Sequence, residues 1–150
     1  ARDAGKPIAK GFVGGSDDVI SESTALHAGC IAAELDAKLL LVATRSGKTA
    51  LRISKHRFSM PTVGVSADTA TLRRMALYWG TIPLPDAPTA EGDRLLEFVA
   101  RWGLQQQLLR SGDLMVTIHG TGLPEAGHNG ILVHRVTDSV PDESRERKQS

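Results

Sequence analysis

Leu39-Leu40-Leu41-Val42-Ala43-Thr44-Arg45-Ser46-Gly47-Lys48-Thr49 is the stretch on which the reading of the fold turns. Five apolar residues run together without alternation. Such a run, bounded by turn residues, suggests a strand covered on both faces, as in a parallel α/β sheet. The residues after it resemble a helix start, with Ser46 as the candidate N-cap. A strand that passes through a Gly/Ser/Thr turn into a helix N-terminus leaves backbone N–H groups free, and the helix dipole favours an anion there. Arg45 and Lys48 add positive charge. Two readings stand side by side: a phosphate-binding loop built from 44–49, or an ordinary strand-to-helix turn with a solvated Arg and Lys. The nucleotide pattern GxxxxGK[ST] is absent, because no glycine lies five residues before Gly47.

Outward from this turn the chain reads Ile53-Ser54-Lys55-His56-Arg57, then Met60-Pro61-Thr62-Val63-Gly64-Val65, then Arg73-Arg74-Met75-Ala76-Leu77-Tyr78-Trp79-Gly80-Thr81-Ile82-Pro83-Leu84. Further on come Gly112-Asp113-Leu114-Met115-Val116-Thr117-Ile118 and Asn129-Gly130-Ile131-Leu132-Val133-His134-Arg135-Val136. Together, in this order and spacing, these motifs resemble the C-terminal domain of pyruvate kinase over about residues 18–136. Each motif alone is weak; their number and order carry the resemblance.

Composition agrees with one modest domain. The chain has 150 residues, 41% of them hydrophobic, and a net charge of +1. That charge gives no reason to expect nucleic acid or a membrane surface as partner. No apolar run has the length of a transmembrane span, and no signal peptide opens the chain. One cysteine, Cys30, excludes an internal disulfide framework. A cytoplasmic setting is the expectation.

Residues 1–15 have no clear period and read as an N-terminal arm, with a short strand possible over 8–13. Ala4-Gly5-Lys6-Pro7 is similar to a phrase from the pyruvate kinase barrel, but the expected methionine-containing strand does not follow. Chance, or the scar of a truncated or rearranged gene, accounts for it. Residues 16–137 read as the domain. Asp17 or Asp18 caps a first helix running to residue 35, with Ile20, Thr24, His27, Ile31 and Leu35 on one stripe. Cys30 reads as a packed core thiol.

The second helix spans about 47–55, and Lys55 and His56 near its end suit the dipole. A strand follows over 62–65. The third helix starts at Asp68 or Ser66 and ends near Trp79, with Gly80 as its C′ residue and Leu72, Met75, Ala76 and Trp79 buried. A short strand occupies 82–84; Pro83 fits an edge. A long helix opens at Thr89 or Asp93 and reaches about 110, with Leu95, Val99, Trp102, Gln106 and Leu109 on one face. Strands at 114–118 and 131–136 flank a Gly-rich loop. Residues 138–150 read as a disordered tail.

The alternation predicts a three-layer α/β/α sandwich with a mostly parallel sheet. The resemblance implies a mixed five-stranded sheet in the order 3-2-1-4-5, its last strand antiparallel. Ligands on such sheets sit at the carboxyl ends of strands where the order switches, here between strands 1 and 4. The resemblance further implies that Thr44, Arg45, Ser46, Gly47, Lys48 and Thr49 hold the phosphate of an allosteric effector. Gly120, Gly127, His128 and Asn129 would belong to the loop covering it. Two departures stand out. Lys48 replaces the family's commoner Arg, losing a bidentate fork. The Arg that fructose-bisphosphate-responsive members carry early in the fourth helix falls on Leu95, with Arg94 about 100° round the helix. A one-phosphate effector, or none, is therefore expected over fructose 1,6-bisphosphate.

The family's catalytic Lys, metal carboxylates, magnesium and potassium belong to a barrel domain of about 250 residues, for which 150 leave no room. No cofactor, metal or catalytic residue is expected in this domain. Ser46 has no persuasive His/Asp pairing, and His119 and His128 lie nine residues apart without an acidic ligand pattern. Three functional readings remain. One is the regulatory and assembly domain of a pyruvate kinase, joined to its barrel and forming dimers or tetramers. The second is a free-standing module that binds a phosphorylated metabolite. The third is a small phosphate-ester enzyme.

Overall fold

The computed structural model describes residues 16–119 and 130–137. The expected arm at 1–15 and tail at 138–150 lie outside the described residues, as do Gly120, Gly127, His128 and Asn129 of the expected covering loop. In chain order the elements are α1 (Ser16–Glu34), β1 (Leu39–Ala43), α2 (Lys48–His56), β2 (Thr62–Val65), α3 (Thr69–Met75), β3 (Thr81–Pro83), α4 (Gly92–Gln105), β4 (Leu114–His119) and β5 (Gly130–Arg135).

The sheet order is β3-β2-β1-β4-β5. β1 pairs in parallel with β2 and β4, β2 in parallel with β3, and β5 runs antiparallel to β4. This is the expected mixed sheet. Residues 39–42 of β1 are all fully buried, because helices cover both faces of the strand. Leu40 and Val42 pack with Ala50, Ile53 and Met75 under α1, α2 and α3. Leu39 and Leu41 pack with Leu95 and Val99 of α4. The two apolar layers and the sheet between them form the three-layer sandwich.

Several expectations about individual helices do not hold. The buried side of α1 is Ser21, Ala25, Ala28 and Ala32, while Ile20 and Leu35 are 51% and 46% exposed. His27 and Cys30 are exposed as well, so Cys30 is not a core thiol. Close packing is the reason: a Cβ on Gly29 would lie 2.0 Å from the Phe58 ring. Only small residues fit such an approach, so Ile20 and Leu35 turn outward, while Ile31 of the expected stripe packs partly buried against the core.

α3 stops at Met75 with Ala76 as C-cap, so Gly80 is not its C′ residue. Trp79, expected to be buried, is half-exposed beneath the Arg57 guanidinium, 4.9 Å from its ring. Ala76 is exposed too. Asp68, not Ser66, is the N-cap, its carboxylate accepting from the Ala70 amide at 2.9 Å. α4 begins at Gly92 and ends at Gln105, earlier than expected. Gln107 takes a left-handed φ of 60°, and the amides of Leu108 and Leu109 both turn back to the Gly103 carbonyl. Leu109 is thus buried from a loop rather than from the helix, and Gln106 is exposed.

Candidate functional site

Ala43 pairs with Val65 on one side and with His119 on the other. The residues after β1 and those after β4 therefore leave the sheet side by side, at the switch in strand order. The Thr44 amide extends the ladder by one bond, to the Val65 carbonyl at 3.1 Å. Thr44, Gly47 and Thr49 are buried, while Arg45, Ser46 and Lys48 are exposed. A floor of small residues thus carries a rim of one hydroxyl and two cations.

The N-cap of α2 is Gly47, not Ser46, with φ 83° and no side-chain cap bond. A left-handed residue at this point favours glycine, since a Cβ there costs about 1–2 kcal/mol. The Gly47 amide donates to Thr44 Oγ1 at 3.0 Å and so is not one of the free N–H groups of the helix start. The Lys48 amide donates to Ser46 Oγ at a long 3.4 Å. Among the described residues no backbone hydrogen bond of the turn engages the amides of Ser46, Thr49 or Ala50. The anion-seeking donors of the turn are therefore the amides of Ser46, Thr49 and Ala50, with Lys48 held weakly.

α3 contributes residues that the sequence reading passed over. Thr71, fully buried, donates to the Arg45 carbonyl at 2.7 Å. Arg74 Nη2 donates to the Ser46 carbonyl at 3.3 Å and to Thr71 Oγ1 at 2.9 Å. The available signal was Thr71 one turn before Met75: a polar residue on the buried side of a short helix implies a partner.

The other residues weighed for the site separate clearly. Leu95 is buried against β1 from α4, on the opposite face of the sheet from α2. Arg94 is exposed and paired with Glu91 at 2.8 Å. Neither reaches the 44–49 turn. Ser46 Oγ has no histidine or carboxylate partner among the described residues, and His119 sits half-buried at the end of β4. No helix among the described residues is long and apolar enough to cross a membrane.

A family model for the pyruvate kinase alpha/beta domain matches residues 22–134. This chain belongs to that family. The pyruvate kinase of Bacillus licheniformis is 33% identical over 124 residues, covering 82% of this chain and 20% of the relative. That of Geobacillus stearothermophilus is 27% identical over 124 residues, covering 82% and 21%. The chain thus spans about a fifth of the length of these relatives. The solved structure of Cryptosporidium parvum pyruvate kinase in complex with ADP superposes with a TM-score of 0.70. It shares 24% identity and covers 78% of this chain and 24% of that one, a likeness in fold. The pyruvate kinase alpha/beta domain is thereby the frame for the 44–49 turn and its α3 support.

Proposed function

We propose that this pyruvate kinase alpha/beta domain is a regulatory and assembly module that binds the phosphate of a small effector at the 44–49 turn. The observation that carries the reading is the uncapped start of α2. The amides of Ser46, Thr49 and Ala50, which no backbone hydrogen bond of the turn engages, lie beside exposed Arg45 and Lys48, at the switch between β1 and β4. Hydrogen bonds to a charged group contribute about 1.5–3 kcal/mol each, so three or four offset competition from water. One phosphate is the ligand unit, because neither Leu95, packed on the far face of the sheet, nor Arg94, paired with Glu91, brings a second cation to the turn. The Gly120, Gly127, His128 and Asn129 segment would cover the sugar end.

The same reading gives the domain an assembly role. The outer side of α1 and the edge strand β5 present Ile20, Leu35, Leu132 and Val133 to solvent. A partner surface, from a second copy or from a catalytic barrel, would cover them. The setting is the cytoplasm, and the relatives' glycolytic transfer from phosphoenolpyruvate to ADP would be the reaction of the whole enzyme. The 150-residue chain on its own is expected to show no magnesium-dependent turnover of phosphoenolpyruvate and ADP.

The test is a titration with inorganic phosphate at low salt, followed through the amide resonances of Ser46, Lys48 and Thr49. Saturable shifts are expected, and Ser46→Asp, which puts a negative charge where the phosphate sits, abolishes them. Binding that survives Ser46→Asp unchanged places the ligand elsewhere.

A further inference from the structure

The carbonyls of two consecutive residues in the turn point at the same helix. Thr71 holds that of Arg45, and Arg74 holds that of Ser46. No peptide bond among the described residues is cis. In a trans peptide the N–H points opposite to the C=O of the same unit. Drawing the Arg45 carbonyl toward α3 therefore turns the Ser46 amide away from it. Drawing the Ser46 carbonyl the same way turns the Gly47 amide away from α3, where it meets the buried Thr44 Oγ1.

The turn lies directly against α3 and the residues after it. A Cβ at Gly47 would lie 3.4 Å from Thr71 Cγ2, 3.5 Å from the Tyr78 hydroxyl and 3.7 Å from Met75 Cγ. Thr71 Oγ1 is both donor to the turn and acceptor from Arg74, so the three groups form one chain of hydrogen bonds.

We infer that Thr71 and Arg74 are positioning residues: they fix the peptide planes of Arg45 and Ser46 so that the Ser46 amide faces outward, and they tie the turn to α3. The consequence for affinity rests on the proposed phosphate reading; the conformational part does not. Occupancy of the turn is in this way coupled to α3 and, through the Thr81 amide on the Tyr78 carbonyl, to the start of β3.

The experiment compares wild type, Thr71→Val, Thr71→Ser and Arg74→Lys. Amide resonances are recorded first without ligand and then with inorganic phosphate at several salt concentrations. Thr71→Val keeps the side-chain shape and removes no charge. It is expected to shift the ligand-free Ser46 and Gly47 resonances and to weaken phosphate about tenfold, the loss that goes with one missing hydrogen bond and an orphaned carbonyl. The salt dependence stays that of wild type, whereas loss of a direct charged contact would flatten it. Thr71→Ser restores both readouts, and Arg74→Lys gives a smaller shift confined to Gly47. Ligand-free Ser46 and Gly47 resonances left in place by Thr71→Val overturn the inference. Shifts without phosphate binding in wild type uphold the positioning role while removing the phosphate reading. Should Thr71→Val unfold the chain, the exposed Arg74→Met variant asks the same question of the Gly47 amide.

Discussion

β1 and β5 are both apolar runs in the sequence, Leu39-Leu40-Leu41-Val42 and Ile131-Leu132-Val133, yet they meet opposite fates. β1 lies between β2 and β4 with helices on both faces and is sealed from water over 39–42. β5 is an edge strand, and its Leu132 and Val133 stay 43% and 42% exposed. Hydrophobicity alone does not say which strand becomes the core; rank in the sheet order does. A strand that is apolar on both faces but lies at an edge has more affinity for a partner than its own domain uses.

The largest effect that would break this contrast is on β1 itself. Leu41→Ala is expected to lower unfolding free energy by about 2–5 kcal/mol in urea titrations, because the buried methyl groups leave a cavity. A loss below about 1 kcal/mol would mean that β1 is not the packed centre of the sheet. The cover over β1 is tested next. Gly29→Ala drives a methyl into the Phe58 ring and should cost about 1–3 kcal/mol through forced displacement of α1 or the ring.

On β5 the expected loss from Leu132→Ala is near the surface range of about 0.5 kcal/mol, measured on the monomer. A cost equal to that of Leu41→Ala would show β5 to be covered in solution. Sedimentation at tens of micromolar sharpens the point. We expect a dimer that Leu132→Asp dissociates without lowering the melting temperature of the monomer; a monomer at all concentrations would leave the edge unexplained. The smallest effect belongs to the exposed Arg94–Glu91 pair. Arg94→Ala should change stability by less than about 0.5 kcal/mol and leave phosphate titrations at the turn untouched.

Much of this architecture could be read in advance, and for a physical reason. Residues 39–42 are apolar on both faces, as a strand covered on both sides requires, and the motifs around them resemble a single family in a single order, which supplies the rank of each strand in the sheet. α1 misled for the converse reason. Both of its faces carry apolar residues, so periodicity could not choose between Ile20 with Leu35 and Ala25 with Ala28 and Ala32. The choice is made by the Phe58 ring, a contact with another part of the chain. Trp79 misled because α3 ends four residues before it. At the turn, 44–49 were legible as a unit, but the state of each amide was not. Whether Gly47 or Ser46 keeps a free N–H depends on Thr44 Oγ1, Thr71 and Arg74, and two of those three lie in a separate helix.

The position of β1 also sets a timetable for synthesis. Leu40 finds its first neighbour, Thr62, soon after emerging, but its second, Val116, only when most of the domain has been made. Until then the most apolar strand of the protein has one flank open and half its cover missing. Closing that distant pairing costs little extra free energy, since loop entropy grows only with the logarithm of length, but it takes time. During that interval the nascent chain exposes its most adhesive segment, and the β1 flank is where chaperones or aggregation would act first.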